Sequence, residues 1–205
     1  MIFLRKVFSS VLLVAAALSI SIAQAETVTD LLHKTNDPVR GNPKGNITIV
    51  EFFDYQCAHC SSMTPVVDAV LKKNPNVRVI YKEFPIRGPM SELAARAALS
   101  ANKQGKYGEF SHALLAVNQP LTEEIIFNAA KQSGVNVSQL KKDMHSKLIN
   151  KQLNGNYELA KSLKLFATPT FYVSKTSANS LTEIASSVGS MSQADLQGMI
   201  DRAAQ

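Results

Sequence analysis

Cysteine is nearly absent: the chain has two, Cys57 and Cys60, and it has no tryptophan at all. A framework of structural disulfides is excluded by that count. A bridge between these two would enclose only two residues and would constrain the unfolded chain very little. A structural zinc site wants four ligands, commonly a second cysteine pair or two histidines. There is no second pair, and His33, His112 and His145 are scattered. Charge is also modest. Charged residues make up 19% of the chain and the net charge is +6, two units of which come from Arg5 and Lys6. The remaining basic residues alternate with acids, as on a solvated surface, so the chain lacks the dense Lys/Arg stripe that a phosphate backbone demands, and nucleic acid is not an expected partner. Internal repeats and low-complexity segments are missing too.

What is present begins with an export signal. Arg5 and Lys6 precede a nearly continuous apolar stretch, Val11 to Ile22, and then Ala23-Gln24-Ala25. The apolar stretch is shorter than the ~20 residues a membrane span needs, and Ala-Gln-Ala is a small-residue cleavage site. Residues 1–25 are therefore expected to be a signal peptide cleaved after Ala25. Residues 26–205 are a suitable length for one domain. The paired cysteines then travel to a compartment where disulfides persist.

Along the chain, residues 26–35 read as a short amphipathic helix on Val28, Leu31 and Leu32. A loop over 39–45 follows, with room for a short edge strand. Ile47 to Phe53 is β-branched or aromatic and nearly all apolar, as a buried central strand should be. Cys57 to about Lys73 reads as a helix on Met63, Val66, Val67, Val70 and Leu71, with Pro65 expected to kink it. Val77 to Phe84 is a second strand, which completes a βαβ unit with parallel strands. Residues 85–168 show only helical periodicity. One helix is marked by Leu93, Ala94, Ala97, Ala98 and Ala101, a second covers 107–117, and a third is bracketed by Thr122 and Gly134. A fourth runs from Ser138 toward Leu165, with a bend near Gly155. Strand character returns at Thr170 to Ser174 and near 182–188, joined as a hairpin, and a helix over 192–204 ends the chain. The fold class is α/β: a thioredoxin-type arrangement of βαβ and ββα halves, with helices inserted over 86–166.

The chemistry centres on Cys57-Ala58-His59-Cys60. A Cys-x-x-Cys at a helix start sets the first sulfur against unpaired N–H groups and the positive end of the helix dipole, which favours its thiolate. Cys60 lies one turn further on the same side. Cys57 is thus the expected attacking thiol and Cys60 the resolving one, with Cys57–Cys60 as a redox-active disulfide. His59, between them, is placed to favour the Cys57 thiolate further. The same spacing occurs in metal sites, and two thiolates with His59 make a soft set for copper(I). No resident metal or cofactor is called for. The methionines read as core filling, Met63 and Met90 being the two placed to line a groove.

Glu51-Phe52-Phe53-Asp54-Tyr55-Gln56-Cys57-Ala58-His59-Cys60 resembles the active-site segment of the DsbA family of thiol oxidases. The likeness extends to Asp37-Pro38-Val39-Arg40-Gly41-Asn42-Pro43, to Tyr81-Lys82-Glu83-Phe84-Pro85 and to Ala167-Thr168-Pro169-Thr170-Phe171, and covers most of residues 37–203. The resemblance implies a thioredoxin fold with a helical insertion and a periplasmic location. It also implies a cis Pro169 opposite the cysteines, with Thr168 offering backbone hydrogen bonds to a substrate strand, and a buried acid at Glu51 beneath the site. The activity it implies is disulfide transfer to reduced or unfolded exported proteins, with reoxidation by a quinone-linked membrane protein of the DsbB type. Two positions depart from the strongly oxidising members: Ala58 stands where proline is common, and Thr168 stands where valine is. Thr168 is similar to periplasmic isomerases, so an isomerase or reductase served by a reducing partner is the alternative, and a copper-binding thiol protein is a further one.

Overall fold

The computed structural model describes residues 24–205. The expected signal peptide lies outside the described residues except for its last two positions. Residues 24–32 are helical (α1), followed by β1 (Val39–Gly41), β2 (Ile47–Phe53), α2 (Ala58–Lys73) and β3 (Val77–Glu83). Five helices intervene: α3 (Pro89–Asn102), α4 (Tyr107–Leu115), α5 (Glu123–Gln132), α6 (Val137–Asp143) and α7 (Lys147–Ser162). The chain then returns through β4 (Thr170–Lys175), a 3-10 turn at Leu181–Glu183, β5 (Ala185–Val188) and α8 (Gln193–Ala204).

The strands form one mixed sheet in the order β1-β3-β2-β4-β5. β2 is the central strand, and every one of its residues is buried. It pairs in parallel with β3, from Ile47 opposite Val77 to Phe53 opposite Glu83, and antiparallel with β4. Alternation along β2 divides the interior in two. Ile47, Ile49 and Phe53 face Met63, Val67 and Val70 of α2, Leu196, Met199 and Ile200 of α8, and the inserted helices. Val50 and Phe52 face the other way, onto Val28, Leu31 and Leu32 of α1 and onto Ile80, Phe84 and Leu159. The expected amphipathic helix thus covers the second face of the sheet.

The inserted helices add to the first of these cores, α7 also sends Leu159 and Ala160 into the second, and the insertion has no separate one among the described residues. Ala94, Ala95, Ala97, Ala98 and Ala101 are all buried on α3, which lets neighbouring helices approach closely. Helix α5 starts and stops as its sequence indicates. Thr122 accepts a hydrogen bond from Ile125 N–H (3.2 Å), Glu123 and Glu124 occupy the first turn, and Gly134 takes φ +74° just beyond the end. The single long helix expected from Ser138 to Leu165 is instead two. The break falls at 144–146, where Ser146 is extended (φ −65°, ψ 153°) and Leu140 and Met144 turn inward to be buried. Gly155 lies inside the unbroken α7, against the end of the Lys34 side chain. The strand expected near 182 likewise starts later, because Leu181–Glu183 form a 3-10 turn capped by Ser180. Helix α2 runs through Pro65 to Lys73.

On the α1 side one ion pair is fully buried. The Lys82 ammonium donates to an Asp37 carboxylate oxygen and to the Asp30 carbonyl (2.6 Å). Gln152 Nε2 on α7 donates to the Asn36 carbonyl (2.9 Å) and also approaches Asp37. Burial pushes the Asp37 carboxyl up and the Lys82 ammonium down, each opposed by the other's charge. These contacts tie α1, through Asp30, and the segment after it, through Asp37, to β3. Because removing one member strands the other in an apolar interior, Lys82→Ala is expected to lose about 3–5 kcal/mol of stability. The double substitution Asp37→Leu with Lys82→Met should lose less than Lys82→Ala, as measured by urea unfolding.

Candidate active site

Cys57 is the N-cap of α2, with extended backbone (φ −93°, ψ 109°), and its carbonyl accepts the first hydrogen bonds of the helix, from Cys60 N–H (2.9 Å) and Ser61 N–H (3.1 Å). No acidic residue lies in the first turn to oppose a negative sulfur. Both cysteines are free thiols and both are buried. The Thr168–Pro169 peptide bond is cis, and Cys57 Sγ–H donates to the Thr168 carbonyl at 3.3 Å.

Several groups favour the Cys57 anion. The Cys60 thiol donates a hydrogen bond to it, the largest effect, and the Thr168 side chain, the Cys60 N–H and the charge of Arg87 add to this. Burial opposes them and loses, so the Cys57 thiol is brought down to about 5 from an ordinary 9.0. At neutral pH thiolate then exceeds thiol roughly a hundredfold. The contact with the Thr168 carbonyl is a hydrogen bond only while the thiol keeps its proton. The Thr168 hydroxyl, buried and without a partner in the dithiol form, is a donor for the anion. Cys60 moves the opposite way, pushed far up by burial, by its bond to Cys57 and by the negative charges of Cys57 and Glu51. The two thiols are thus shifted in opposite directions, Cys57 toward the anion and Cys60 toward the protonated form.

Glu51 points to the same face of β2 as Phe53, with only 5% of its surface exposed. Burial pushes its carboxyl up to about 8; the charge of Arg40 works against this and that of Cys57 works with it. Arg40, on β1, reaches the Tyr81 hydroxyl (3.4 Å), Asp68 Oδ1 of α2 (2.9 Å) and the His112 ring of α4. His59 is exposed, and its Nδ1 lies 3.2 Å from Ser190 Oγ. Among the described residues no group of three or more His, Cys, Asp or Glu is arranged to hold a metal, so the copper reading gains no geometric support. Met63 is buried in the core and Met90 packs on it.

Three groups escape the sequence reading. Asp54 is buried and accepts four hydrogen bonds, from Gln56 N–H (2.7 Å), Ser91 Oγ (2.7 Å), Ile86 N–H (2.8 Å) and Arg87 N–H (2.9 Å). It thereby fastens the cysteine loop to the loop after β3. Arg87 sends Nη2 to within 3.9 Å of Cys57 Sγ. Glu83, buried and raised to about 8 chiefly by burial, accepts from the Tyr55 and Tyr107 hydroxyls at 2.8 Å each. Asp54 and Glu83 stand inside segments quoted above for their likeness; an acid at the exit of a nearly apolar strand was the available signal for Asp54, whereas Glu83 ends a strand that also carries Arg78 and Lys82. Arg87 had none.

The model of the DSBA-like thioredoxin domain matches residues 48–201. The chain belongs to the DsbA-like thioredoxin family. With the DsbA-like fold comes the cysteine pair at the start of α2. A solved thioredoxin-like oxidoreductase from Silicibacter pomeroyi DSS-3 is 36% identical, with a TM-score of 0.79 over 86% of this chain and 96% of that one. A probable disulfide bond formation protein D of Bacillus anthracis is 29% identical over 152 residues, 68% of this chain and 70% of that protein. The Na(+)/H(+) antiporter NhaA 1 of Mycolicibacterium gilvum is 30% identical over 142 residues, 67% of this chain. The DsbA-like chain spans only 23% of that antiporter's length. Among the described residues no helix is long and apolar enough to cross a membrane.

Two measurements check this electrostatic arrangement. The ultraviolet absorbance of the thiolate in the reduced protein should titrate with a midpoint near 5 and vanish in Cys57→Ser. For Glu51 the folded carboxyl titrates above its unfolded value of 4.5. The folded state therefore holds a proton that the unfolded state has released, and the contribution of Glu51 to stability falls as pH rises from about 4.5 through about 8, against the opposite contribution of Cys57. The stability of Glu51→Gln relative to wild type should therefore rise with pH in urea unfolding followed across this range.

Proposed function

We propose that this chain is a thiol-disulfide oxidoreductase acting on exported proteins in the periplasm, and that in its reduced form it rearranges or reduces client disulfides. The observation that carries this reading is the ionised Cys57 at a helix start beside a protonated Cys60. The export pattern at the N-terminus supports the location. Peptide clients are favoured by the apolar surface near the site: Phe166, two residues before Thr168, is 82% exposed, and Ile86, next to Arg87, is 43% exposed.

The steps follow from the two sulfurs. Cys57 thiolate attacks a client disulfide; its sulfur bonds to one client sulfur, the client S–S bond breaks, and the second client sulfur leaves as a thiolate. Cys57 is now neutral in a mixed disulfide. The Cys57 charge that added to the effect of burial on Glu51 is gone, so Glu51 releases its proton to solvent more readily, and the carboxylate can then accept that of Cys60. The Cys60 thiolate attacks Cys57, the mixed disulfide breaks, and the client leaves reduced while Cys57–Cys60 closes. Isomerisation results when another client thiolate displaces Cys57 first. Thr168 and Pro169 lie where an extended client could pair with the chain, and His59 is exposed, with its ring against Ser190.

The oxidase direction is the second reading. A stabilised Cys57 thiolate is a good leaving group, so disulfide transfer from Cys57–Cys60 to a reduced client is downhill in the same measure. The partner follows the direction: a quinone-linked membrane oxidant for the oxidase, a reducing protein for the isomerase. Equilibration with glutathione buffers should place the Cys57–Cys60 couple, and reduced protein should restore activity to a scrambled disulfide substrate. If reduced, unfolded substrate gains disulfides from the oxidised protein while scrambled substrate is left untouched, the oxidase reading replaces the first. Cys60→Ser should accumulate a mixed disulfide at Cys57. Transfer that survives Cys57→Ser would overturn both readings.

A further inference from the structure

The loop after β3 is held in place by the cysteine loop itself. Asp54 Oδ2 accepts both Ile86 N–H and Arg87 N–H, and Gln56 Nε2 donates to the Arg87 carbonyl at 3.2 Å. Gly88 then takes φ +98°, ψ −173°, a conformation open only to glycine, and Pro89 starts α3. The Arg87 backbone is thus anchored at both sides, while its side chain is exposed and reaches back to the Cys57 sulfur. Among the described residues no carboxylate forms an ion pair with it. The adjacent carboxylate, Asp54, is occupied by its four donors.

Cys57 is itself buried, with none of its surface exposed. A cleft lined by Gln56, Cys57, Ala58, Ser61, Val117 and Pro120 leads past it, but an incoming sulfur still has to reach an atom that the guanidinium neighbours. Resting on the exchange reading above, we propose that Arg87 is a specificity-determining residue that favours client segments carrying a carboxylate beside the reacting cysteine. Such a carboxylate offers the guanidinium the bidentate partner it lacks, draws it off the sulfur, and seats the client disulfide where the side chain had been. A lysine in the same place meets a like charge and leaves the sulfur covered.

The test uses disulfide-linked short peptides that differ only in whether Asp or Lys flanks the cysteine, reacted with the reduced full chain. Wild type should react about tenfold faster with the Asp peptide at low salt, and the difference should shrink as ionic strength rises. Arg87→Gln should lose most of the difference, Arg87→Lys should keep part of it, and Arg87→Glu should reverse it. The thiolate titration, run on the same variants, separates selection from nucleophile strength: a change in sulfur ionisation alters both peptide rates together and leaves their ratio alone. An unchanged ratio in Arg87→Gln overturns the inference while leaving exchange at Cys57 intact. If wild type reacts with neither peptide, the exchange reading falls and takes this inference with it.

Discussion

A proton withheld from one sulfur and kept by its neighbour is the constraint on which the rest of this structure turns. The Cys60 thiol donates to Cys57, and that single hydrogen bond outweighs the burial that would otherwise keep Cys57 neutral. Burial normally disfavours the charged form. It prevails at Cys60 and at Glu51, and it is beaten at Cys57, where donors converge on one atom. The helix start, the Thr168 loop and the loop after β3 come from three distant parts of the sequence, and each contributes a group to that convergence.

The buried acids make sense in the same terms. Glu51 and Glu83 sit on adjacent strands, on the sheet face that carries the cysteines, and both are held near 8. A carboxyl poised there can change state in response to the loss of a nearby negative charge, which a fully ionised surface carboxylate would not do. Tyr55 and Tyr107 steady Glu83, while Arg40 restrains the rise of Glu51 and links it outward to Asp68 and His112.

Much of this was legible in the amino-acid order, for identifiable reasons. β2 was clear because it is covered on both faces and so is apolar at nearly every position. α2 was clear because its apolar residues repeat on one face, and the cysteines were clear because a two-residue spacing is local. The break between α6 and α7 was missed because the apolar rhythm continues across it, and Gly155 offered a false marker where α7 runs on unbroken. Arg87 was invisible for a different reason. Its meaning lies wholly in contacts made across thirty residues of chain, and an arginine in a loop carries no period or motif of its own. Asp54 was read only as part of a motif, since nothing local reveals that its carboxylate gathers the backbone of another loop.

The alanine-lined α3 has a wider consequence. Because the inserted helices and the α2 side of the sheet fill one interior between them, the insertion cannot behave as a detachable module. Loosening it would propagate to the redox pair, and the two regions should melt in one cooperative step. Lineages that vary their clients by remodelling this cap would therefore have to change its rim and leave its underside untouched.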